Sequence, residues 1–168
     1  MKKILISGPE SSGKSYLASN LAIELNGTLV EEYARAFLTN NQEYVESDLI
    51  HIAQMQYELE TKGAVNKPNF LVCDTGIEVV CIWSSVKYGR VDDEIKKMLD
   101  LKSYDLILLC KPNIPWEFDV LREHSDSRDE LFVLYQDLLH KEKVTFQIID
   151  APVNLRLSQA ANFLNQII

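Results

Sequence analysis

Residues Gly8-Pro9-Glu10-Ser11-Ser12-Gly13-Lys14-Ser15 satisfy the spacing G-x-x-x-x-G-K-[ST] at every fixed position and follow directly on the apolar run Ile4-Leu5-Ile6. Few eight-residue words constrain a fold as tightly, because the chemistry works only at a strand-to-helix junction. The glycines let successive backbone N–H groups turn toward one anion, Lys14 reaches the β- and γ-phosphates, and the Ser15 hydroxyl is a ligand for Mg²⁺. A helix opening at Lys14 adds the positive end of its dipole at the same place. The expected triphosphate cradle is therefore Gly8, Glu10, Ser11, Ser12, Gly13, Lys14 and Ser15.

The rest of the composition narrows the setting of this loop. A chain of 168 residues, 46% hydrophobic, is the size of one domain with a core large enough to fold unaided, so residues 1–168 are expected to form a single P-loop domain. A net charge of −8 argues against nucleic acid or an anionic membrane as the main partner. The apolar stretch after Met1-Lys2-Lys3 is too short for a signal peptide and meets Gly8-Pro9, which points to a buried first strand. No run approaches the length of a membrane span, and a soluble, cytoplasmic protein is expected. Cys73, Cys81 and Cys110 are odd in number, lack C-x-x-C spacing and lie among apolar residues, so they read as reduced core residues.

Strand and helix signals alternate along the chain. Strands are expected at 3–7, 28–30, 69–74, 104–110 and 145–149. Helices are expected at 14–26, with Leu17, Leu21, Ile23 and Leu25 marking the buried face, at 31–38, and from a Ser47-Asp48 cap to about residue 66. Further helices are expected at 76–88, 91–101, 129–141 and 154–168, and Asn26-Gly27 should end the first helix with the glycine left-handed. The proline-broken stretch 111–119 reads as a loop, and the charged stretch 120–129 as a short lid. Alternation of this kind implies an α/β P-loop NTPase fold, a five-stranded parallel sheet with helices on both faces.

Several residues outside the loop are candidates for chemistry. Asp74 ends an apolar strand beside the first one, where a carboxylate can hold the Mg²⁺ bridging the β- and γ-phosphates, although it could also serve as a helix N-cap. Glu31 and Glu32 follow the second strand at the sheet's C-terminal edge, and either one could orient and deprotonate an acceptor hydroxyl. Arg35 lies one turn on, as a substrate clamp or a partner of these acids. Arg122 and Arg128 flank the lid, where guanidinium groups can stabilise charge on a transferring phosphoryl group. Trp116, in a loop, is the better candidate for stacking on a flat ring, with Trp83 read as a helix residue able to join the core. His51, His124 and His140 suggest no metal site or triad.

Taken together these words resemble the ribosylnicotinamide kinase domain of the NadR type, within the nucleoside and nucleotide kinase fold. The matching stretches are the loop at 8–15, Glu32-Tyr33-Ala34-Arg35, Cys73-Asp74-Thr75 with Ile82-Trp83, Tyr104-Asp105-Leu106, Ile114-Pro115-Trp116 with Asp119 and Leu121-Arg122, and Arg128. The resemblance implies transfer of the γ-phosphoryl group of Mg-ATP to nicotinamide riboside, giving nicotinamide mononucleotide for NAD synthesis. It also implies an acceptor site drawing on Glu31, Tyr33, Arg35, Trp116 and Asp119, with Lys14, Asp74, Glu32, Arg122 and Arg128 catalytic. Two words depart from the family pattern: Gly76 stands where an acidic residue usually follows Asp-Thr, and Asp119-Val120-Leu121-Arg122 replaces Asp-Gly-Leu-Arg. No adenylyltransferase domain precedes these words, so a kinase alone is expected.

Two other readings compete with this one. The acceptor could be another nucleoside or a nucleoside monophosphate, or the chain could be a nucleotide-sensing regulatory ATPase that phosphorylates no metabolite. No N-K-x-D word is present to read guanine. A small-molecule nucleoside is the expected partner, and the sequence is compatible with an oligomer.

Overall fold

The computed structural model describes residues 1–41, 43–115 and 127–166, apart from the side chain of Asn40. Five strands, β1 (Lys2–Ser7), β2 (Thr28–Val30), β3 (Phe70–Asp74), β4 (Leu106–Cys110) and β5 (Gln147–Ile149), form one parallel sheet in the order β2-β3-β1-β4-β5. Parallel strands buried on both faces must be apolar throughout, and β4, Leu-Ile-Leu-Leu-Cys, is buried at every position.

Side chains alternate across the sheet, so β1 contributes to two cores. Ile4 and Ile6 pack with Leu17, Ala18 and Leu21 of α1 (Lys14–Glu24) and with Ala160 and Leu164 of α7 (Arg156–Leu164). Leu5 faces the other side, with Val79 and Ile82 of α4 (Ile77–Tyr88) and Leu131, Phe132 and Tyr135 of α6 (Arg128–Lys141). Each such buried aliphatic side chain contributes about 1.5–3 kcal/mol relative to exposure. A third cluster joins α2 (Tyr33–Asn41), α3 (Glu46–Ala64), α4 and α5 (Asp93–Met98). Among the described residues no helix is long and apolar enough to cross a membrane.

Local details differ from the sequence expectation in instructive ways. Helix α2 begins at Tyr33, not Glu31, because the Tyr33 N–H donates to the Gln56 side chain at 2.8 Å and leaves both glutamates in the preceding loop. Helix α3 starts one residue before the expected Ser47-Asp48 cap. The Val45 N–H donates to the Asp48 carboxylate at 2.8 Å, and Asp48 N–H returns to Val45 O at 3.0 Å. Residues 91–101 form only the short α5, followed by a 3-10 turn at Leu101–Ser103. Ile23 is exposed, and Ala18 and Ala22 complete the buried face of α1 in its place.

At the end of α1 the two turn residues exchange the expected roles. Asn26 carries the left-handed φ of 47°, which asparagine tolerates. Gly27 is needed for close approach, since a Cβ there would lie 2.9 Å from the Phe70 carbonyl oxygen.

Candidate functional site

The loop between β1 and α1 lies against β4. Gly8 has φ 132°, and a Cβ on it would stand 2.6 Å from the Cys110 carbonyl oxygen, so only glycine lets the loop leave the sheet here. Gly13, at φ 78°, turns the chain into α1. The Lys14 ammonium donates to the Pro9 carbonyl at 2.8 Å, folding the side chain back over the loop it is to serve.

Asp74 closes β3 in register with Ile6, which brings it to the same edge of the sheet. It is 6% exposed, its carboxylate accepts a hydrogen bond from the Ser15 hydroxyl, and its Oδ1 has no hydrogen-bond partner. Burial raises its pKa, with Ser15, Lys14 and Arg35 opposing. Helix α4 takes its N-cap at Gly76 with no side-chain hydrogen bond, so the capping alternative for Asp74 is not realised. A buried carboxylate oxygen without a partner, beside a serine hydroxyl, is a donor pair suited to a hard cation. The next residue, Thr75, has φ 69°, a strained conformation for a β-branched side chain.

One side chain ties this turn to the acids after β2. Gln56 of α3, 2% exposed, accepts from the Tyr33 N–H and donates to the Thr75 carbonyl at 3.5 Å. It thereby sets the loop that carries Glu32 against the turn that carries Asp74. Burial raises the Glu32 pKa, Lys14 lowers it and Asp74 raises it further. Glu31 is exposed and does not line the cavity described next, though its charge contributes to raising the Asp74 pKa.

A cavity of about 380 Å³ runs over the phosphate loop. On the β2/β3 side its walls are Glu32, Arg35, Leu38, Val79 and Trp83, and Ile114, Pro115 and Val153 line the part reached from β4 and β5. Trp83, expected to be the less interesting tryptophan, is half-buried in this wall, and its ring stacks on Tyr44 with centroids 5.9 Å apart. Tyr33, expected at the acceptor, is not among the lining residues. Its hydroxyl lies 3.3 Å from His51 Nε2, and its ring packs on Phe37 and His51, because the first turn of α2 directs it toward α3.

The arginines divide differently from expectation. Arg128 Nη1 donates to the carbonyls of Ser11 at 3.2 Å and Ile114 at 3.1 Å, so its guanidinium grips the loop by its backbone. Arg156, unremarked in the sequence, is 2% exposed and donates to the carbonyls of Ser12, Lys111 and Ala151 and to Asn113. Trp116 and Asp119 of the expected loop, and Arg122 of the expected lid, lie outside the described residues. Nothing in the sequence around Gln56 or Arg156 marks them, beyond the oddity of a long polar residue at a position that the helix period turns inward.

A nucleotide-binding loop at the C-terminal edge of a β2-β3-β1-β4-β5 parallel sheet, with a buried acid on the adjacent strand, defines the P-loop class. The family described as an AAA domain matches residues 3–156, and the chain belongs to it. The chain is similar to the trifunctional NAD biosynthesis/regulator protein NadR of Escherichia coli, with 28% identity over 87% of this chain and 37% of that protein. NadR of Salmonella typhimurium is 30% identical over 83% of this chain and 35% of its own length. The chain thus spans about a third of these curated relatives.

Among solved structures, NadR in complex with NR superimposes with a TM-score of 0.81 at 20% identity, covering 99% of this chain and 51% of that one. A deoxyadenosine kinase from M. mycoides gives 0.69 at 15% identity, covering 98% of this chain and all of that one. The fold is that of these P-loop kinases.

Proposed function

We propose that the protein is an ATP-dependent small-molecule kinase that transfers the γ-phosphoryl group to a nucleoside hydroxyl, most specifically that of nicotinamide riboside. The observation that carries this reading is a cavity lined together by the phosphate loop, Glu32 and an aromatic wall at Trp83, with Asp74 buried behind Ser15 of the loop. A nucleotide sensor needs the loop and the acid, but not a second wall with a base in it.

In this reading the triphosphate lies along residues 8–15, with the nucleoside part of ATP toward Ile114, Pro115 and Val153. The acceptor lies on the β2/β3 side, where a flat ring can rest on Trp83. Ser15 and Asp74 would hold Mg²⁺, which when bound neutralises charge on the β- and γ-oxygens. Glu32 accepts the proton of the attacking hydroxyl, Lys14 turns from Pro9 to the γ-phosphoryl oxygens, and Arg35 covers the negative charge between them. Glu32 is favoured over Glu31 because it lines the cavity and burial raises its pKa, which makes it the stronger base. The NadR relatives supply the choice of nicotinamide riboside, and the cationic pyridinium ring suits both an indole face and the nearby carboxylates.

A second reading, a kinase for another nucleoside, is favoured by Gly76, which removes an acid from the turn after Asp74, and by the full-length match to a deoxyadenosine kinase. Incubation of pure protein with Mg-ATP and a panel of nucleosides, read by mass, tests both. Nicotinamide mononucleotide as the dominant product is expected. ATP hydrolysis without any phosphorylated nucleoside would overturn the kinase reading in favour of a sensor.

A further inference from the structure

The phosphate loop has a mechanical weakness that Arg156 is placed to remove. An anion-binding loop needs its N–H groups turned inward, yet the peptide between Ser12 and Gly13 ends on a glycine at φ 78°, the residue least able to resist a peptide flip. A flip would present the Ser12 carbonyl oxygen to the phosphates in place of the Gly13 N–H. All peptide bonds in the described residues are trans, so a C=O and the following N–H point in opposite directions. Whatever holds the Ser12 oxygen outward therefore holds the Gly13 N–H inward.

Arg156 Nη1 donates to that oxygen. Its other donors are anchored on three further groups, Nη2 to Lys111 O at 2.9 Å and Asn113 Oδ1 at 2.5 Å, and Nε to Ala151 O at 3.0 Å. The fork is buried at 2% exposure, so it reaches the nucleotide only through the loop. Arg128 does the same to the preceding peptide, holding Ser11 O and so turning the Ser12 N–H inward.

We propose that Arg156 is the positioning residue of the phosphate loop: it fixes the Ser12–Gly13 peptide in the anion-binding orientation and joins it to the segments after β4 and β5. The planar guanidinium is required, because one rigid fork must satisfy four acceptors at once. The proposal rests on the nucleotide-binding part of the function given above and is independent of the acceptor's identity and of transfer itself.

The test compares wild type, Arg156→Met and Arg156→Lys by calorimetric titration with a non-hydrolysable ATP analogue, with inorganic tripolyphosphate and with the nucleoside acceptor alone, alongside Tm. Loss of a hydrogen bond from a charged donor predicts a weakening of about 10- to 100-fold for both phosphate ligands in Arg156→Met. Arg156→Lys keeps the charge but not the fork, and should still lose a substantial part of that factor with a smaller fall in Tm. Acceptor affinity should not change. In amide NMR spectra of Arg156→Lys, the Gly13 N–H should no longer shift on adding tripolyphosphate.

Phosphate affinities within twofold of wild type in both variants would reduce Arg156 to a structural tie and overturn the proposal. Full affinity in Arg156→Lys with loss only in Arg156→Met would also overturn it, by showing that charge and not the fork is what matters. A wild type that binds neither phosphate ligand would overturn the nucleotide-binding reading and the proposal with it.

Discussion

The turn from β3 into α4 places two acids four residues apart, and the molecule treats them in opposite ways. Asp74 and Glu78 are both buried, both have an oxygen without a hydrogen-bond partner, and burial raises the pKa of both. Toward the phosphate loop, Asp74 meets Ser15 and the charge of Lys14 and Arg35. On the core side, Glu78 Oε1 accepts from Ser7 Oγ at 2.8 Å and from the Gly76 N–H at 3.3 Å.

Beneath Glu78 the core also holds Tyr104, whose hydroxyl donates to Glu60, and Lys3, which pairs with Glu60 at 2.7 Å. Gly76 makes room for this arrangement, since a Cβ there would stand 2.7 Å from both Glu78 Oε2 and the Tyr104 hydroxyl. The contrast teaches that a buried, unpartnered carboxylate oxygen has two physical meanings. Where positive charge acts on it, as Lys14 and Arg35 act on Asp74, it is a site waiting for a positive ligand, and where burial and a neighbouring acid dominate, as at Glu78, it is a place that holds a proton.

Substitutions should therefore separate function from stability along this one turn. The largest effect is expected from Asp74→Asn, which should remove measurable phosphotransfer and the Mg²⁺ dependence of ATP-analogue binding, because an amide is a poor ligand for a hard cation. Its Tm should equal or exceed that of wild type, since a buried carboxylate with a raised pKa is itself a cost. Unchanged Mg²⁺ dependence would break the comparison by making Asp74 another core acid.

Glu32→Gln should lower turnover by on the order of 10² to 10⁴-fold with little change in ATP-analogue affinity, as general-base loss does. In the wild type, kcat should fall as pH is lowered through an apparent pKa above the usual carboxylate value, in the direction that burial imposes on Glu32. A flat acidic limb in the profile would return the role to Glu31 or to water. Trp83→Ala should weaken acceptor binding by roughly 5- to 150-fold, the range for losing one base–aromatic stack, and leave ATP-analogue affinity alone. Titrating nicotinamide riboside against a neutral nucleoside sharpens this, because only the cation also loses attraction to the indole face.

What could be read from the sequence follows from how far each role reaches along the chain. The phosphate loop, the apolar strands and Asp74 are local words, and spacing alone places them. Glu32 was legible as one of two acids, but choosing between them needed the start of α2, which is set by Gln56 from a helix beginning thirteen residues later. Arg156 reaches Ser12 across 144 positions, a pairing that no periodicity encodes. Trp83 was legible as a helix residue able to join the core, and it does pack against the core, but only the placement of α4 shows that it also lines the cavity.

The smallest effect, and the one that tests the core side, is that of Glu78→Gln. Burial first, then the neighbouring Glu60 charge, pushes the Glu78 pKa from an ordinary 4.5 to about 7, against the hydrogen bonds from Ser7 and Gly76. The folded protein therefore binds this proton more tightly than the unfolded chain, and stability falls as pH rises. The contribution is fully present below about 4.5, where both states carry the proton, declines as the unfolded chain ionises, and is lost once pH passes about 7 and folded Glu78 ionises too. Glutamine keeps the Oε1 acceptor and never ionises. At pH 4.5 the variant and wild type should have nearly the same Tm, whereas at pH 8 the variant should be more stable by about 3 kcal/mol, roughly 6 to 12 °C for a chain of this size. Phosphotransfer should persist, unlike that of Asp74→Asn. If Glu78→Gln were equally displaced from wild type at both pH values, the difference would lie in packing, and Glu78 would not be the proton-holding acid of the pair.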